Sequence, residues 1–300
     1  MNPTPAIVFF HVGNFPGYLY ATLESARFFN PGAEIFLIAD KPRADLTKLG
    51  VQIRTIDQLQ HPKLSTLYDR YVHISAFKFN YDRICLARWF YIEQFRKVEG
   101  RSRLIHLDSD AMLFHSGADL FRHFPGQAHI GCSKANGPAL AFIQHSLEPF
   151  LDFVLMKYTD RAFLDDARKR NDAANSKGQA DSVQDMTFLN LFIRRKDGLG
   201  VSYSNHLPIG HIDHCIYGNP DGLKSVPNRR HVSRKCIYWE DADGALRPSF
   251  RRIADDAKIP ALLVHFQNGA KRRIRRFNRV GPGSLVPRAL RLRYYNYLLN

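Results

Sequence analysis

The most informative segment of the sequence is Arg103-Leu104-Ile105-His106-Leu107-Asp108-Ser109-Asp110-Ala111-Met112-Leu113, an apolar run that ends in two carboxylates one residue apart. Residues i and i+2 of a β-strand point to the same face, so we expect Asp108 and Asp110 to converge while Ser109 faces the other way. Converging carboxylates supply the oxygen ligands that hard divalent cations prefer. The segment therefore predicts a metal site at the end of a strand.

The same spacing recurs at Asp241-Ala242-Asp243, which lies between Glu240 and Gly244. No apolar run leads into this second copy, and its polar neighbours are typical of a turn. We therefore interpret it as a polar turn without a metal.

Short β-like runs alternate with helical stretches along most of the chain. Strands are predicted over residues 6–10, 34–39, 51–56, 128–133 and 261–266 and at the Asp108 segment, and helices over residues 18–29, 81–97 and 147–158. Asp181 is expected to cap a further helix, residues 161–177 to form an exposed or mobile excursion, and residues 208–227 to form a loop. This alternation predicts an α/β fold with a mostly parallel, doubly wound sheet, in which ligands collect outside the carboxyl ends of the strands.

Length and cysteine content limit the class of protein. Three hundred residues suffice for one large domain or two small ones, and neither a linker nor a repeat divides the chain. The four cysteines are far apart and lack a Cys-x-x-Cys pair, which argues against a disulfide framework and favours a reducing, cytoplasmic location. The N-terminal apolar run is too short for a signal peptide or a membrane span.

The net charge of +15 would attract nucleic acid, anionic lipid and phosphorylated substrates alike. Residues 257–300 contain no Asp or Glu, and their arginines alternate with aromatic and aliphatic residues. We therefore predict a basic, aromatic tail over residues 281–300 that lies on the anionic inner face of a membrane. A solvated basic end is an equally weighted alternative.

Four short blocks of the sequence, residues 7–14, 107–110, 184–190 and 265–271, resemble those of glycosyltransferases of the GT-A fold. They are most similar to the glycogenin-like and bacterial galactosyltransferase group. The resemblance implies a single GT-A domain over residues 1–280, an αβα sandwich. It also implies an enzyme that transfers a sugar from a nucleotide diphosphate sugar, with a UDP-sugar as the expected donor, to a hydroxyl of a glycan or lipid-linked acceptor.

The resemblance assigns the cofactor ligands by match of position. Asp108, Asp110 and His265 would bind Mn²⁺ or Mg²⁺, and Gly269 and Lys271 would contact the diphosphate. A dication beside the phosphate oxygens stabilises the negative charge that the leaving nucleoside diphosphate gains. Taken alone, a histidine that ends a buried strand would be interpreted as a core residue. The acidic pair and the Gly269 and Lys271 that follow it favour a metal ligand instead.

Asp185 and Gln184 match the pair that faces the transferred sugar in related enzymes. A carboxylate there can orient a hydroxyl, take a proton or stabilise a developing positive charge at carbon. The alternative for Asp185 is an acidic residue that complements the dipole at a helix N-terminus.

The remaining nucleotide contacts are predicted from topology and from an arginine that relatives place in the same region. The base and ribose would meet side chains after the first two strands, namely His11, Gly13, Asn14 and Asp40. Arg88 or Arg83, on the helix before the acidic segment, would reach a phosphate. Either arginine would otherwise be a surface charge whose stem packs over aromatic residues.

Two rival functions follow from other features. A basic protein with aromatic residues among its arginines can bind nucleic acid without catalysis, but its basic residues concentrate after the last strand, so no nucleic-acid partner is expected. An Asp-x-Asp phosphatase would carry its motif on the first strand, whereas this motif lies beyond residue 100.

Overall fold

The computed structural model describes residues 4–133, 137–179, 181–195, 197–217, 221–227, 233–242 and 245–278. The strands in these ranges are β1 (Ala6–His11), β2 (Ile35–Ala39), β3 (Val51–Thr55), β4 (Leu104–Asp108), β5 (Ala111–Leu113), β6 (Ile130–Ser133), β7 (Gly137–Ile143), β8 (Gly200–Tyr203), β9 (His206–Leu207), β10 (Gly210–Asp213), β11 (Ser225–Pro227), β12 (Ser233–Lys235), β13 (Tyr238–Ala242), β14 (Ala245–Arg251) and β15 (Lys258–His265). The helices are α1 (Gly17–Phe29), α2 (Ala44–Thr47), α3 (Leu64–Arg70), α4 (Phe79–Val98), α5 (Gly117–Phe121), α6 (Glu148–Lys157), α7 (Arg161–Asn175), α8 (Asp185–Ile193) and α9 (Lys271–Asn278), with 3₁₀ turns at Ile56–Leu59 and Asn268–Ala270.

A seven-stranded central sheet has the order β3-β2-β1-β4-β7-β6-β8. Strands β3, β2, β1 and β4 are parallel neighbours, and β6 pairs in parallel with β8. Strand β7 runs against both of its neighbours. The predicted α/β fold with a mostly parallel central sheet is confirmed. Because β1, β2 and β4 are parallel, their carboxyl ends meet at one edge of the sheet.

Hydrophobic clusters cover both faces of this sheet, as the alternation along β1 shows. Val8 packs in one cluster with apolar residues of α4, α6 and α8. Ile7 and Phe9 pack in the other cluster with residues of α1, α5 and the second sheet. Since successive side chains of a strand point to opposite faces, a fully apolar strand such as β1 requires cover on both sides.

A second sheet, β13-β14-β15-β10-β9, packs beside the first, and β5 pairs with the C-terminal half of its strand β15. The antiparallel register of β5 and β15 sets His265 opposite Ala111. The end of a strand late in the chain therefore lies beside the residue that follows Asp110.

Several local predictions were wrong. Residues 161–177 are largely exposed, as predicted, but α7 makes most of them regular helix; its N-cap is Asp160, whose side chain accepts from the Phe163 N–H at 3.0 Å. Asp181 caps no helix, since α8 begins at Asp185 with Gln184 as its N-cap. Residues 208–227 include strands β10 and β11.

The second Asp-x-Asp copy is also corrected in part. Asp241 lies in β13, which pairs antiparallel with β14, so a strand does lead into this copy. Asp243 lies outside the described residues. Within the part of the chain that the structure describes, no helix is long and apolar enough to cross a membrane.

Glu93 of α4 is a buried carboxylate that fixes the start of α6. It binds Arg96 through two contacts of 2.8 Å and accepts from the Ser146 hydroxyl at 2.9 Å and from the Leu147 N–H at 3.0 Å. Burial favours the neutral acid, but these donors outweigh it and lower the pKa of Glu93. The carboxylate is thus fully engaged where α4 meets the β7–α6 connection.

We expect Glu93→Ala to lower the free energy of unfolding by about 3 kcal/mol, because it removes one member of a buried charge pair and leaves buried donors unsatisfied. Glu93→Gln, which keeps one carbonyl acceptor, should lose less. Urea denaturation at pH 7 measures both. The control is Glu34→Ala, which breaks the solvent-exposed pair with Arg101 and should cost less than about 1 kcal/mol. Equal losses for Glu93→Ala and Glu34→Ala would contradict the assignment.

Candidate functional site

A cleft of about 390 Å³ opens at the carboxyl edge of the central sheet. The ends of β1, β4 and β15 and the N-terminal turns of α4, α8 and α9 supply its walls. Its lining residues are Phe10, His11, Val12, Tyr18, Phe77, Tyr81, Ile84, Cys85, Arg88, Asp108, Ser109, Asp110, Gln184, Asp185, Met186, His265, Gln267, Asn268 and Lys271. This position is the one at which open α/β sheets bind ligands.

The predicted metal ligands meet in this cleft. His265 Nε2 lies 3.1 Å from Asp110 Oδ1 and 3.8 Å from Asp108 Oδ2. The acidic residues converge through a turn rather than along one strand, since β4 ends at Asp108 and Asp110 lies in the turn before β5. The antiparallel pairing of β5 with β15 then brings His265 to the acidic pair.

A backbone carbonyl orients the His265 ring. The Nδ1–H of His265 donates to the carbonyl of His214 at 2.7 Å, which directs Nε2 toward the carboxylates. Burial alone would lower the pKa of His265, but the hydrogen bond and negative charge of Asp110, with Asp108, raise it to about 9. Histidines that ligate metals in proteins are held through the other ring nitrogen in this way.

Lys271 adds a cation on the other side of Asp110. Its Nζ lies 2.9 Å from Asp110 Oδ2 and 5.4 Å from the centre of the Tyr18 ring. Burial raises the pKa of Asp110, but His265 and Lys271 outweigh it and lower that pKa to about 2. Asp110 is therefore an anion held between two cations.

Arg88 links the acidic pair to Asp185. Its Nη1 donates to Asp108 Oδ1 at 2.6 Å, and its Nη2 donates to Asp185 Oδ2. Asp185 also accepts from Trp89 Nε1 at 3.1 Å and from the Met186 N–H at 2.9 Å. Burial opposes the charge of Arg88, but the two carboxylates raise its pKa. Arg88, predicted as a phosphate contact, thus serves here as the counter-ion of the buried Asp185 and the partly buried Asp108.

Gln184 is the N-cap of α8. Its backbone N–H donates to the Thr187 hydroxyl at 3.2 Å, and its side-chain Nε2 donates to Asp82 Oδ1 at 3.0 Å. Asp82 is fully buried in the first turn of α4. The side chain of Gln184 therefore joins the N-terminal turns of α4 and α8 at the wall of the cleft.

Only some of the predicted nucleotide contacts line the cleft. His11 lines the cleft, with Nδ1 3.2 Å from the Ser109 hydroxyl and Nε2 2.8 Å from the Asn14 carbonyl. Gly13, Asn14, Asp40 and Gly269 do not belong to the lining. Gly13 has a φ of 101°, a left-handed conformation that favours glycine.

The backbone and surroundings of Gly269 would accept a residue with a side chain. A Cβ there would meet the Tyr217 hydroxyl at 3.6 Å, which is ordinary contact. The left-handed residue of this turn is Asn268, with a φ of 49°, and it lines the cleft. Asn is the residue that most readily replaces Gly in this conformation, which is the signal that would have pointed to it.

Other lining residues were not predicted as site residues. They include Ser109 between the two carboxylates, Tyr18 under Lys271 and three exposed apolar side chains, Phe77, Tyr81 and Met186. Tyr81 and Met186 lie in the first turns of α4 and α8. Their position next to Asp82 and Asp185 was visible in the sequence, but their exposure was not.

A second cluster of potential ligands, His211, Asp213 and Asp221, lies in the core of the second sheet. Lys235 fills it: the buried ammonium lies 2.7 Å from Asp213 and 2.5 Å from Asp221. Burial opposes its charge, yet the two carboxylates raise the pKa of Lys235. An internal cation thus pairs with both carboxylates of this cluster, which offers no argument for a metal.

The first cluster does fit a divalent cation. Asp108, Asp110 and His265 each offer one ligand atom, and these atoms lie within 4.8 Å of one another. Two carboxylate oxygens and one imidazole nitrogen suit Mn²⁺ or Mg²⁺ better than a thiolate set would. The side of the group that lines the cleft leaves room for further ligands.

No protein-family model matches this chain, and no curated protein sequence matches it. Solved structures that resemble its backbone include the glycosyltransferase GlyE of Streptococcus pneumoniae TIGR4, with 16% identity and a TM-score of 0.40 over 68% of this chain and 46% of that chain. Mouse xyloside xylosyltransferase 1 has 13% identity and a TM-score of 0.44 over 67% and 86%. An active-site mutant of LgtC has 13% identity and a TM-score of 0.48 over 96% and 99%. The chain spans less than half the length of GlyE.

We expect Arg88→Met to lower the free energy of unfolding by about 3 kcal/mol, because it leaves Asp185 as an uncompensated buried charge. Asp185→Asn in the Arg88→Met background should recover roughly half of that loss. Urea denaturation of the two single variants and the double variant, with EDTA present, measures the coupling. Arg83→Met is the control on the same helix: its guanidinium lies over Tyr68 and Phe79, and its loss should cost about 1 kcal/mol or less. A double variant no more stable than Arg88→Met would disprove the coupling.

Proposed function

We propose that this protein is a metal-dependent glycosyltransferase that moves a sugar from a nucleotide diphosphate sugar, a UDP-sugar, to a hydroxyl of a glycan or lipid-linked acceptor. One observation carries the proposal: Asp108, Asp110 and His265 converge at the base of a cleft, with Lys271 beside them. Two of the four blocks that resemble GT-A glycosyltransferases, residues 107–110 and 265–271, supply these four residues, and a third, residues 184–190, supplies Asp185.

The charges of the site suit a leaving nucleoside diphosphate. When the bond between the anomeric carbon and the diphosphate oxygen breaks, both electrons remain on the diphosphate, and a bound Mn²⁺ or Mg²⁺ would stabilise that charge. Asp108, Asp110 and His265 would hold the cation. Lys271, already turned toward Asp110, supplies a second positive charge for the same phosphate oxygens.

The other residues take the roles that their positions favour. Asp185 and Gln184 would act on the transferred sugar, and the bonds from Arg88, Trp89 and the Met186 N–H hold the Asp185 carboxylate in one orientation. A fixed carboxylate costs no reorganisation when charge develops nearby.

The nucleotide would extend from the metal toward the ends of β1 and β2. His11, Gly13, Asn14 and Asp40 lie there and remain the proposed contacts for the base and ribose, with Gly269 and Arg88 toward the diphosphate. Of these six residues, His11 and Arg88 line the cleft.

The test is calorimetric titration of UDP in the presence and absence of Mn²⁺. Mn²⁺ should strengthen UDP binding to the unmodified chain, and the variant Asp108→Asn with Asp110→Asn should weaken Mn²⁺-dependent UDP binding by roughly 100-fold, because both carboxylate ligands are lost. Circular dichroism shows whether each variant is folded.

Asp241→Asn is the matched control, because Asp241 belongs to the other Asp-x-Asp copy and does not line the cleft. Its UDP affinity should equal that of the unmodified chain. Unaltered UDP affinity in the double variant would refute the proposal, as would the absence of any Mn²⁺ effect on UDP binding by the unmodified chain.

We also propose that residues 281–300 form a tail that holds a cytoplasmic protein at the inner face of a membrane. These residues lie outside the described ranges, and support comes from composition alone, since residues 257–300 combine arginines and aromatics without an acidic residue. The four cysteines, all free thiols, are compatible with a reducing compartment.

Removal of residues 284–300 should lower co-sedimentation with vesicles that contain anionic lipid, because each basic residue near such a surface contributes about 1 kcal/mol of attraction. Vesicles of neutral phosphatidylcholine are the control and should retain neither form. Equal sedimentation of the full and shortened chains with anionic vesicles would rule out the tail as an anchor.

A further inference from the structure

One side of the cleft carries apolar side chains that stand in water. Phe77, Tyr81 and Met186 are 51%, 57% and 39% exposed, and all three line the cleft. We call these three residues the aromatic rim. Large apolar side chains that remain exposed beside a polar cavity are typical of a surface that a ligand covers.

Backbone bonds hold the rim in place. The Val183 N–H donates to the Ile74 carbonyl at 2.8 Å, and Ser75 forms a β-bridge with Ser182, with their hydroxyls 2.9 Å apart. These bonds join the segment before α4 to the segment before α8. The two stretches that carry the rim therefore form one wall, which reduces the entropy lost when a ligand binds.

The rim differs from the exposed aromatic residues beside it. The guanidinium of Arg83 lies 4.9 Å from the Tyr68 ring centre and 5.1 Å from that of Phe79, so these two rings have a partner within the chain. The Phe77 and Tyr81 rings lie 6.2 Å apart and are tilted by 42°. Among the described residues, no cation lies over either ring.

The rim lies next to the proposed catalytic residues. Met186 follows Asp185 directly, and Tyr81 precedes Asp82, which binds Gln184. Lys271 and Tyr18 come from α9 and α1. They lie in the part of the cleft that is proposed to hold the metal ion and the diphosphate. The rim thus belongs to the α4–α8 wall of the cleft, which also carries Asp185 and Gln184.

We propose that the aromatic rim binds the sugar ring of a carbohydrate acceptor and so makes the protein selective for a glycan. This inference rests on the proposed function. A sugar ring has an apolar C–H face and polar edges, which match two aromatic rings, one of them carrying a hydroxyl, in a cleft that polar side chains also line. A lipid chain fits less well, because the cleft beside the rim is lined by Arg88, Asp108 and other charged groups that an acyl chain would desolvate.

The experiment measures saccharide binding separately from turnover. Saturation-transfer NMR with maltose and with dodecyl maltoside, in the presence of Mn²⁺ and UDP, reports which ligand protons contact the protein. The sugar protons should receive saturation in both ligands. Phe77→Ala and Tyr81→Ala should weaken maltose binding by roughly tenfold, the loss of one or two stacked rings. Tyr81→Phe should retain most of the affinity.

Phe79→Ala is the matched control: it removes a ring of 46% exposure from the same segment, but one that does not line the cleft. Its maltose affinity should equal that of the unmodified chain. Mn²⁺-dependent UDP binding, measured on every variant, tests the proposed function independently. Absence of Mn²⁺-dependent UDP binding by the unmodified chain would refute the proposed function. Intact UDP binding with no saturation of sugar protons, with saturation of the dodecyl chain alone, or with undiminished maltose affinity in Phe77→Ala and Tyr81→Ala would overturn the rim.

Discussion

The contact between Asp110 and His265 is the constraint on which the site depends. The two side chains are 155 residues apart in sequence and 3.1 Å apart in space, and both are buried. Their proximity requires that β15, the last described strand, pair with β5, a strand of three residues that follows the acidic turn. A buried charged pair of this kind tolerates little displacement, because either partner left alone would be a desolvated charge.

Charge balance explains how three carboxylates can share one cleft. Asp108, Asp110 and Asp185 are matched by Arg88, Lys271 and the protonated ring of His265. A divalent cation bound in place of the His265 proton would raise the net charge of this group by one. The site would then attract an anionic diphosphate more strongly than it does without the cation. Metal and nucleotide would therefore bind cooperatively.

The wrong predictions have physical causes that short-range patterns do not contain. Residues 161–177 are poor in apolar residues, yet α7 forms because Asp160 caps it. Charge pairs such as Arg168 with Asp165 also stabilise its surface, and Leu164 packs in the core. Asp241 was interpreted as a turn residue because its neighbours are polar. It lies in a strand because β14 pairs with it along the chain.

The sequence by itself determined the parallel core of the fold and the candidate ligands, because both follow from patterns within short segments. Apolar runs mark β1, β2 and β4, alternation of apolar and polar residues marks β3, and Asp108 and Asp110 end the β4 run. Tertiary structure decided how these parts are used. Only the fold shows that Arg88 neutralises Asp108 and Asp185, that Asn268 rather than Gly269 takes the left-handed conformation, and that the aromatic rim is exposed. These properties depend on which strands and helices meet, and no pattern confined to one segment specifies the burial or the partner of a side chain that contacts another.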